Sequence, residues 1–322
     1  MMKDRYGRKI DYMRISITDR CNLRCRYCMP DGVLWVPMED LLTYEEILNV
    51  CREAVALGIC KFKITGGEPL VRKGCEWLVR EIRKIPDAKQ VTMTTNGVLL
   101  KEHLKDLVSA GLDGVNISLD TVKPELYEKI TGFPKLGQVL QSIDAAADSG
   151  IKVKLNVVLQ KGVNDSEWQE LLTFAEKRSI DVRFIELMPI GYGRECDMVS
   201  NMELLQWIRK KYADLAVDEQ IHGNGPAVYY RIPGFHGSVG LISAIHGKFC
   251  DSCNRIRMTS TGEIKPCLCY ENSLSVREAV RAGKNEEVRK ILEQAILGKP
   301  KMHCFEHLED ITEQKKMTQI GG

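Results

Sequence analysis

Short apolar runs alternate with longer amphipathic stretches along the first two thirds of the chain. The short runs predict β-strands at 14–18, 61–65, 91–95, 115–119, 153–159 and 182–187. The longer stretches predict helices that begin near Thr43 and lie at 75–84, 101–110, 124–130, 136–149, 165–178 and 202–212. The sequence Thr43-Tyr-Glu-Glu46 is a capping-box pattern, which supports the start of the first helix. Six strand–helix units in series predict a parallel sheet.

Polar loops follow the predicted strands, for example Thr18-Asp-Arg20, Gly66-Gly-Glu-Pro69 and Thr95-Asn-Gly97. In a barrel built from βα units these loops share one rim, and the chemistry of such folds lies at the carboxyl ends of the strands. We therefore expect an α/β fold, an incomplete (β/α)6 TIM-type barrel with a C-terminal extension. An open doubly wound sheet is the alternative.

The pattern changes after about residue 220. Turn-rich segments at 222–226 and 233–237 precede short strand candidates at 228–232, 238–244, 255–260 and 263–266. Helical stretches follow near 275–282 and 285–297. These changes predict two regions, a barrel over 1–220 and a C-terminal region over 221–322.

Composition narrows the possible functions. The 322 residues carry a formal charge of +2, so no overall field attracts nucleic acid or an anionic membrane. No apolar run is long enough for a signal peptide or a membrane span, so we expect a cytoplasmic protein. Twelve cysteines in a reducing compartment indicate metal or redox chemistry rather than disulfides.

Three of these cysteines, Cys21, Cys25 and Cys28, follow the first predicted strand in the spacing C-x3-C-x2-C. Thiolates are soft ligands for zinc, copper(I) and iron–sulfur clusters. A structural zinc site needs a fourth ligand, whereas an iron–sulfur cube can leave one iron open for a small molecule. Zinc and three unrelated buried cysteines are the alternatives.

A second cysteine set lies in the C-terminal region, where Cys250 and Cys253 are followed by Cys267 and Cys269. By spacing alone this set is close to a four-ligand zinc ribbon. The spacing does not decide whether Cys267, Cys269 or both are ligands. The scattered cysteines are interpreted as small buried hydrophobic residues, namely Cys51, Cys60, Cys75, Cys196 and Cys304.

The sequence CNLRCRYC resembles the signature of the radical S-adenosylmethionine enzymes, and Gly66-Gly-Glu-Pro69 resembles the GGEP motif that ends their second strand. The resemblance implies that Cys21, Cys25 and Cys28 hold a 4Fe–4S cluster whose open iron binds S-adenosylmethionine. One electron then cleaves S-adenosylmethionine to a 5′-deoxyadenosyl radical. Glycine at these positions lets a ligand approach the backbone without a Cβ in the way.

The whole chain is similar to the members of this family that cyclise GTP in the first step of molybdenum cofactor biosynthesis. The similarity includes the segments 18–25, 64–70, 94–97, 116–120 and 183–186, and Cys253-x-Arg-x-Arg257. It implies a second 4Fe–4S cluster on Cys250, Cys253 and Cys267 that binds GTP, with Cys269 as a bystander. The radical takes hydrogen from C3′ of the ribose, C3′ attacks C8 of guanine, and the product is 3′,8-cyclo-7,8-dihydro-GTP.

The same resemblance implies the remaining site residues. Those for S-adenosylmethionine are Tyr27, Gly67, Ser118 and Met188, and those for GTP are Arg14, Lys63, Thr94, Lys161, Arg255 and Arg257. Position 63 is usually Arg in the family, so Lys63 would contact phosphate as a point charge. The tail residues Gly321 and Gly322 would reach the active site and take part in catalysis.

The partners implied by the resemblance are an electron donor of the flavodoxin or ferredoxin type, a downstream cyclic pyranopterin monophosphate synthase and a second copy of the chain. We expect no nucleic acid or membrane partner. Two other hypotheses remain open from the residues. One is a different radical S-adenosylmethionine enzyme with an auxiliary cluster, such as a peptide maturase, and the other is a zinc-binding interaction module.

Overall fold

The computed structural model describes residues 2–32, 36–247 and 249–321. The strands are β1 Tyr12–Ser16, β2 Lys61–Thr65, β3 Gln90–Thr95, β4 Gly114–Ser118, β5 Lys152–Val157, β6 Asp181–Ile185, β7 Ala216–Asp218, β8 Val228–Arg231, β9 Val239–Ile242, β10 Arg255–Met258, β11 Glu263–Lys265 and β12 Leu274–Ser275. The α-helices are α1 Tyr44–Ala56, α2 Cys75–Arg83, α3 Leu100–Ser109, α4 Pro124–Thr131, α5 Leu136–Asp148, α6 Trp168–Lys177, α7 Asn201–Lys211, α8 Arg277–Arg281 and α9 Asn285–Leu297.

All twelve strands form one sheet in the order β12-β11-β10-β1-β2-β3-β4-β5-β6-β9-β8-β7. Strands β1 to β6 lie side by side in chain order, and each pair is parallel. A doubly wound sheet reverses its strand order, and this sheet does not, so the doubly wound alternative is wrong. The sheet has two free ends, as a partial barrel does.

The C-terminal region extends this sheet at both edges. Strand β10 pairs parallel to β1, and β9 pairs parallel to β6. Strands β11 and β12 continue antiparallel beyond β10, and β8 and β7 continue antiparallel beyond β9. Pairing satisfies the backbone groups that β1 and β6 would otherwise expose. The region therefore supplies walls for the same barrel.

Most predicted elements lie within two or three residues of their observed bounds. The capping box of α1 is confirmed, because Thr43 Oγ1 accepts from Glu46 N at 3.2 Å and Glu46 Oε2 accepts from Thr43 N at 2.7 Å. The first strand begins at Tyr12 rather than at residue 14, since its start is set by pairing with β2 and β10. Strands β7 and β12 have three and two residues, too few to show a pattern in the sequence.

The main core fills the space between the sheet and its helices, and its strand residues include Ile15, Ile64, Met93, Ile117 and Leu155. A second, smaller core joins Ile190, which follows β6, to six residues of the C-terminal region, namely Ile245, Leu268, Cys269, Phe305, Ile311 and Ile320. In the part of the chain that the structure describes, no helix is both long enough and apolar enough to cross a membrane.

Candidate functional site

One cavity of about 330 Å³ opens at the carboxyl ends of the parallel strands. Its walls come from the residues that follow β1, β2 and β6 and from the last residues of β3 and β4. Both predicted cysteine sets line it, namely Cys21, Cys25, Cys28, Cys250, Cys253 and Cys267. The structure therefore brings together two thiol clusters that are separated by more than two hundred residues in the chain.

The first cysteine set lies in a loop fastened to helix α4. Arg24 N donates to Thr131 O at 2.8 Å, and Arg26 N donates to Ile130 O at 3.0 Å. Cys21 Sγ accepts from Leu23 N at 3.4 Å and from Asn96 Nδ2 at 3.7 Å. Burial raises the pKa of the Cys21 thiol to about 11 and that of Cys28 to about 12. These thiolates need positive charge beside them to form, and iron would supply it.

The residues after β2 hold this loop against the sheet. Gly67 N donates to Thr18 O at 2.8 Å, and Glu68 N donates to Arg20 O at 2.8 Å. A Cβ on Gly66 would lie 2.6 Å from Thr18 O, and a Cβ on Gly67 would lie 2.6 Å from Asp19 O. The glycines are therefore required for close packing of two backbones. This is a second reason for them beside the approach of a ligand.

Glu68 joins the ends of β2 and β3. Its buried carboxylate accepts from Leu70 N at 3.1 Å, from Thr95 Oγ1 at 2.7 Å and from Asn96 N at 2.7 Å. Burial raises the pKa of Glu68 to about 7, although these hydrogen bonds act in the opposite direction. Asn96 in turn donates to Asn22 Oδ1 at 2.7 Å, so Glu68 positions the cysteine loop through Asn96.

The second cysteine set lies among cations. Lys299 Nζ donates to Arg255 O at 2.9 Å and to Pro266 O at 2.7 Å. These bonds hold in place the backbone next to Cys253 and Cys267. Burial by itself raises the pKa of Cys253, but the charges of Lys299, Arg255 and Arg257 lower it to about 7. This thiolate therefore forms more readily than those of the first set.

Three arginines of adjacent strands face the same cavity. Arg14 on β1 is in register with Arg257 on β10, and Arg255 is in register with Tyr12. Burial, together with the charges of Arg14 and Arg255, lowers the pKa of Arg257 to about 9. Within the described residues, the Nε atoms of Arg255 and Arg257 are buried and have no hydrogen-bond partner. A polyanion in the cavity would supply acceptors for them.

The chemistry of the two thiol sets fits iron–sulfur cubes. Among the residues that the structure describes, no three His, Cys, Asp or Glu side chains converge on a point where one metal ion could bind. A cube ties each thiolate to a different iron, so its ligands surround it and do not converge on one point. Two sets of three soft donors around one cavity match that arrangement.

The other sequence-predicted residues divide into those that line the cavity and those that do not. Thr94 of the GTP set lines it, as does the whole S-adenosylmethionine set, Tyr27, Gly67, Ser118 and Met188. Lys63 is buried on β2 in register with Arg14 and does not line the cavity. Lys161 does not line it either: it is exposed after the end of β5, and its Nζ lies 3.8 Å from Glu203 Oε2.

Lys154 and Arg183 are buried cations that the sequence analysis missed. Lys154 on β5 donates to Tyr229 Oη at 2.7 Å, and its Nζ lies 3.2 Å from Asp181 Oδ2. Burial and the charge of Arg183 lower the pKa of Lys154 to about 7, although Asp181 acts in the opposite direction. The alternation of Val153, Leu155 and Val157 with polar residues in β5 was the available signal, because it places Lys154 and Asn156 on one face.

The C-terminal tail reaches the cavity. Met317 and Thr318 line it, and a backbone N–H of Thr318 donates to the Cys28 sulfur. Gly321 is buried with φ +86°, and a Cβ there would lie 3.3 Å from the Ser16 Cβ. Gly322, the other predicted tail residue, lies outside the described residues.

Comparison with known proteins gives the class and then the family. Residues 15–175 match the family model of the Radical SAM superfamily, and residues 180–305 match Molybdenum Cofactor Synthesis C. The chain is 44% identical over 323 residues to GTP 3′,8-cyclase of Clostridium perfringens (strain SM101 / Type A), with 100% of both chains covered. It is 42% identical over 329 residues to GTP 3′,8-cyclase of Petrotoga mobilis, again with 100% of both chains covered.

The class is therefore that of the radical S-adenosylmethionine enzymes. Within this class, the chain belongs to the GTP 3′,8-cyclase family. The matches confirm the family, the enzyme class and the α/β fold class that the motifs predict.

Solved structures resemble the chain in fold. Streptococcus suis SuiB bound to S-adenosylmethionine aligns with a TM-score of 0.64 at 13% identity, covering 97% of this chain and 77% of that chain. Native anSMEcpe with bound AdoMet aligns with a TM-score of 0.58 at 14% identity, covering 90% and 81%. At these identities the likeness concerns the fold alone.

Proposed function

We propose that this protein is a lyase that converts GTP to (8S)-3′,8-cyclo-7,8-dihydroguanosine 5′-triphosphate, the first step of molybdenum cofactor biosynthesis. Its cofactors are two 4Fe–4S clusters and S-adenosylmethionine. The observation that carries the proposal is the single cavity lined by both cysteine sets and by Arg14, Arg255 and Arg257, which are partly buried. When bound, the reduced first cluster supplies the electron that cleaves S-adenosylmethionine and starts the radical reaction.

The residues of the first half would hold S-adenosylmethionine. Cys21, Cys25 and Cys28 would ligate the first cluster. The Tyr27 hydroxyl donates a hydrogen bond to Asp120 Oδ2 at 2.7 Å, and this bond holds the Tyr27 backbone in place beside Cys28. Gly67 follows β2, Ser118 is the last residue of β4, and Met188 follows β6. All three lie on the same rim of the cavity, so they would contact different parts of one extended molecule.

The cations would hold GTP at the opposite wall. Cys250, Cys253 and Cys267 would ligate the second cluster, with its open iron toward the purine. GTP carries roughly four negative charges, and Arg14, Arg255 and Arg257 would neutralise part of them. Guanidinium groups bind phosphate through paired hydrogen bonds, which the free Nε atoms of Arg255 and Arg257 permit. Thr94 would donate to the nucleotide.

Lys154, Arg183 and Lys63 extend the positive charge beneath the arginines. Lys161 remains the proposed phosphate contact from the loop after β5, and Lys154, which is buried beside Arg183 and does not line the cavity, adds positive charge behind it. Asp181 offsets only part of the positive charge of Lys154, Arg183 and Lys63, and burying the remainder carries a free-energy penalty. Bound phosphates would remove that penalty, so the cation cluster favours a polyanionic substrate.

The proposal extends to the two regions of the chain, the C-terminal tail and the partners of the protein. The division at residue 220 separates the region that binds S-adenosylmethionine from the region that supplies the second cluster. Gly321 and Gly322 would take part in catalysis, and the tail that carries them would exclude water from the cavity through Met317 and Thr318. The protein works in the cytoplasm with a one-electron donor of the flavodoxin or ferredoxin type, acts as a homodimer and passes its product to cyclic pyranopterin monophosphate synthase.

An anaerobic assay tests the reaction. The reconstituted protein, reduced and supplied with S-adenosylmethionine and GTP, should form 5′-deoxyadenosine and the cyclised nucleotide in equal amounts, with two 4Fe–4S clusters per chain. Tightly held zinc without sulfide would instead favour the interaction module. Production of 5′-deoxyadenosine with no change in GTP would favour a different radical enzyme.

Two variants separate the two halves of the site. Cys25→Ser should abolish cleavage of S-adenosylmethionine, because it removes a thiolate of the first cluster. Arg255→Ala with Arg257→Ala should weaken GTP binding at least tenfold and leave the first cluster intact, because each lost charged hydrogen bond contributes about 1.5–3 kcal/mol. If Cys25→Ser cleaves S-adenosylmethionine at the wild-type rate, Cys25 is not a ligand of the first cluster. If the double arginine variant binds GTP with unchanged affinity, Arg255 and Arg257 do not bind GTP.

A further inference from the structure

Two cysteines outside the predicted ligand sets lie in direct contact. Cys269 Sγ and Cys304 Sγ are 3.0 Å apart. Neither sulfur has an assigned role, since Cys269 is the expected bystander of the second set and Cys304 is one of the scattered cysteines. A disulfide has a sulfur–sulfur distance of about 2.05 Å, so the two thiols need to move by only about 1 Å to be joined.

The surrounding backbone holds the pair in this position. Cys304 N donates to Cys269 Sγ at 3.3 Å, and Cys269 O accepts from Glu313 N at 3.3 Å. Cys269 is fully buried in the second core, and Cys304 packs against that core while remaining partly exposed. Cys304 is therefore the more exposed residue of the pair, and its sulfur contacts that of the buried Cys269.

The pair is also connected to the second cysteine set. The amide of His303, the residue before Cys304, donates to Cys250 Sγ at 3.5 Å. Cys267 precedes Cys269 by two residues in the same loop. A covalent link between Cys269 and Cys304 would thus fix the two segments that position Cys250 and Cys267.

We propose that Cys269 and Cys304 form a redox-active dithiol, which a peroxide converts to a disulfide behind the second cysteine set. The sulfur of Cys304 displaces water from hydrogen peroxide and becomes a sulfenic acid. The sulfur of Cys269 then attacks the sulfenic acid, and a second water leaves. Two thiols and one peroxide give one disulfide and two waters, and a dithiol reductant reverses the change.

The disulfide would also stabilise the tail. Ile311 and Ile320 belong to the same small core as Cys269, and Glu313 is hydrogen-bonded to the Cys269 carbonyl. A link from 269 to 304 restricts the unfolded ensemble of the intervening chain and reduces local opening. The segment that reaches the cavity would therefore be held in place even when iron is lost through oxidation.

Peptide mapping of the full chain tests the proposal and does not depend on turnover. The anaerobic, iron-loaded protein is treated with one equivalent of hydrogen peroxide, alkylated, digested and analysed by mass spectrometry. We expect a peptide linked through Cys269 and Cys304 that has lost two hydrogens and is opened by dithiothreitol. Cys304→Ser should lack this link, whereas Cys196→Ser, which removes a distant thiol, should retain it.

Two further readouts address other roles for the sulfurs. Cys269→Ser and Cys304→Ser should bind as much iron as the wild type, and a loss of iron in Cys269→Ser would make Cys269 a cluster ligand and overturn the proposal. Trypsin cleavage at Lys315 and Lys316 should slow severalfold after oxidation, but not in Cys304→Ser. The proposal is also contradicted if the disulfides found involve only Cys250, Cys253 or Cys267. An unchanged rate of trypsin cleavage in the oxidised wild type would contradict it as well.

Discussion

Lys154 illustrates how a single residue can be adapted to a substrate that carries opposite charge. It is buried at the barrel interior near Arg183, and its nearest anion, Asp181, is shared with His222 Nδ1 at 3.1 Å. Burial and the arginine lower the pKa of Lys154 to about 7. The folded protein thus carries an unfavourable buried charge in neutral solution, and phosphate would relieve it.

This lowered pKa predicts a pH dependence of stability. Between about 7 and the unfolded value of 10.5 the unfolded chain holds a proton that the folded chain has lost, so the free energy of unfolding should rise with pH in this range. The contribution has a slope of at most about 1.4 kcal/mol per pH unit. Urea unfolding of the metal-free chain at pH 7, 8 and 9 measures it, and Lys154→Met should lack the contribution.

Lys161→Met is the matched control, since Lys161 is exposed and its Nζ lies 3.8 Å from Glu203 Oε2. It should retain the wild-type slope. If Lys154→Met and Lys161→Met have the same slope, Lys154 is not the source of the pH dependence.

At the scale of elements, the cysteine loop depends on the turn after β2. The two backbones approach so closely that any side chain at Gly66 or Gly67 would meet carbonyl oxygens of residues 18–20. Glu68 then joins this turn to the end of β3 through Thr95 and Asn96. The GGEP segment therefore has a packing role in addition to its expected contact with S-adenosylmethionine.

Gly67→Ala should displace the cysteine loop. We expect the free energy of unfolding of the metal-free chain to fall by about 1–3 kcal/mol, because backbone must shift to admit the methyl group. Iron content after reconstitution should fall as well. Gly137→Ala is the control, since Gly137 is exposed in α5 with nothing within 4 Å, and alanine there should stabilise by about 0.5–1 kcal/mol. Equal stability of Gly67→Ala and wild type would show that the loop adapts without strain.

At the scale of the whole molecule, the C-terminal region is joined to the barrel by long-range contacts. Strands β9 and β10 flank the six central strands, and the tail returns to the β10–β11 hairpin. Lys265 and Glu313 form an ion pair with both side chains fully buried. Lys265 Nζ also donates to Tyr270 O at 3.0 Å, so this pair fastens the tail to the wall of the second cysteine set.

Breaking the ion pair between Lys265 and Glu313 should lower the free energy of unfolding. Glu313→Gln leaves the buried Lys265 charge without an anion, and we expect a loss of about 3–5 kcal/mol in the free energy of unfolding. Lys265→Met combined with Glu313→Leu should recover most of the loss, because no buried charge remains. Urea unfolding measures both variants.

Glu81→Gln is the control for an exposed ion pair, that between Glu81 and Lys84, and it should change stability by less than about 1 kcal/mol. A cost for Glu313→Gln no larger than that of Glu81→Gln would mean that the buried pair does not hold the tail.

The sequence by itself determined the local elements and the chemistry of the ligands. The alternation of strands and helices, the capping box at Thr43 and the cysteine spacings depend on neighbouring residues, so they can be read without a fold. The six strands in chain order and the family follow from these patterns. The strand-end position of Thr94 and Ser118 on the cavity rim was predictable for the same reason.

Only the tertiary structure decided which distant residues meet. The pairing of β10 with β1 places Arg257 in register with Arg14 and brings Cys250, Cys253 and Cys267 to the cavity of the first set. Packing between β5, β6 and β8 places Lys154 beside Asp181 and Tyr229, and packing of the C-terminal region places Cys269 beside Cys304. These contacts arise from strand pairing and packing between segments far apart in the chain, and no local pattern specifies such pairings.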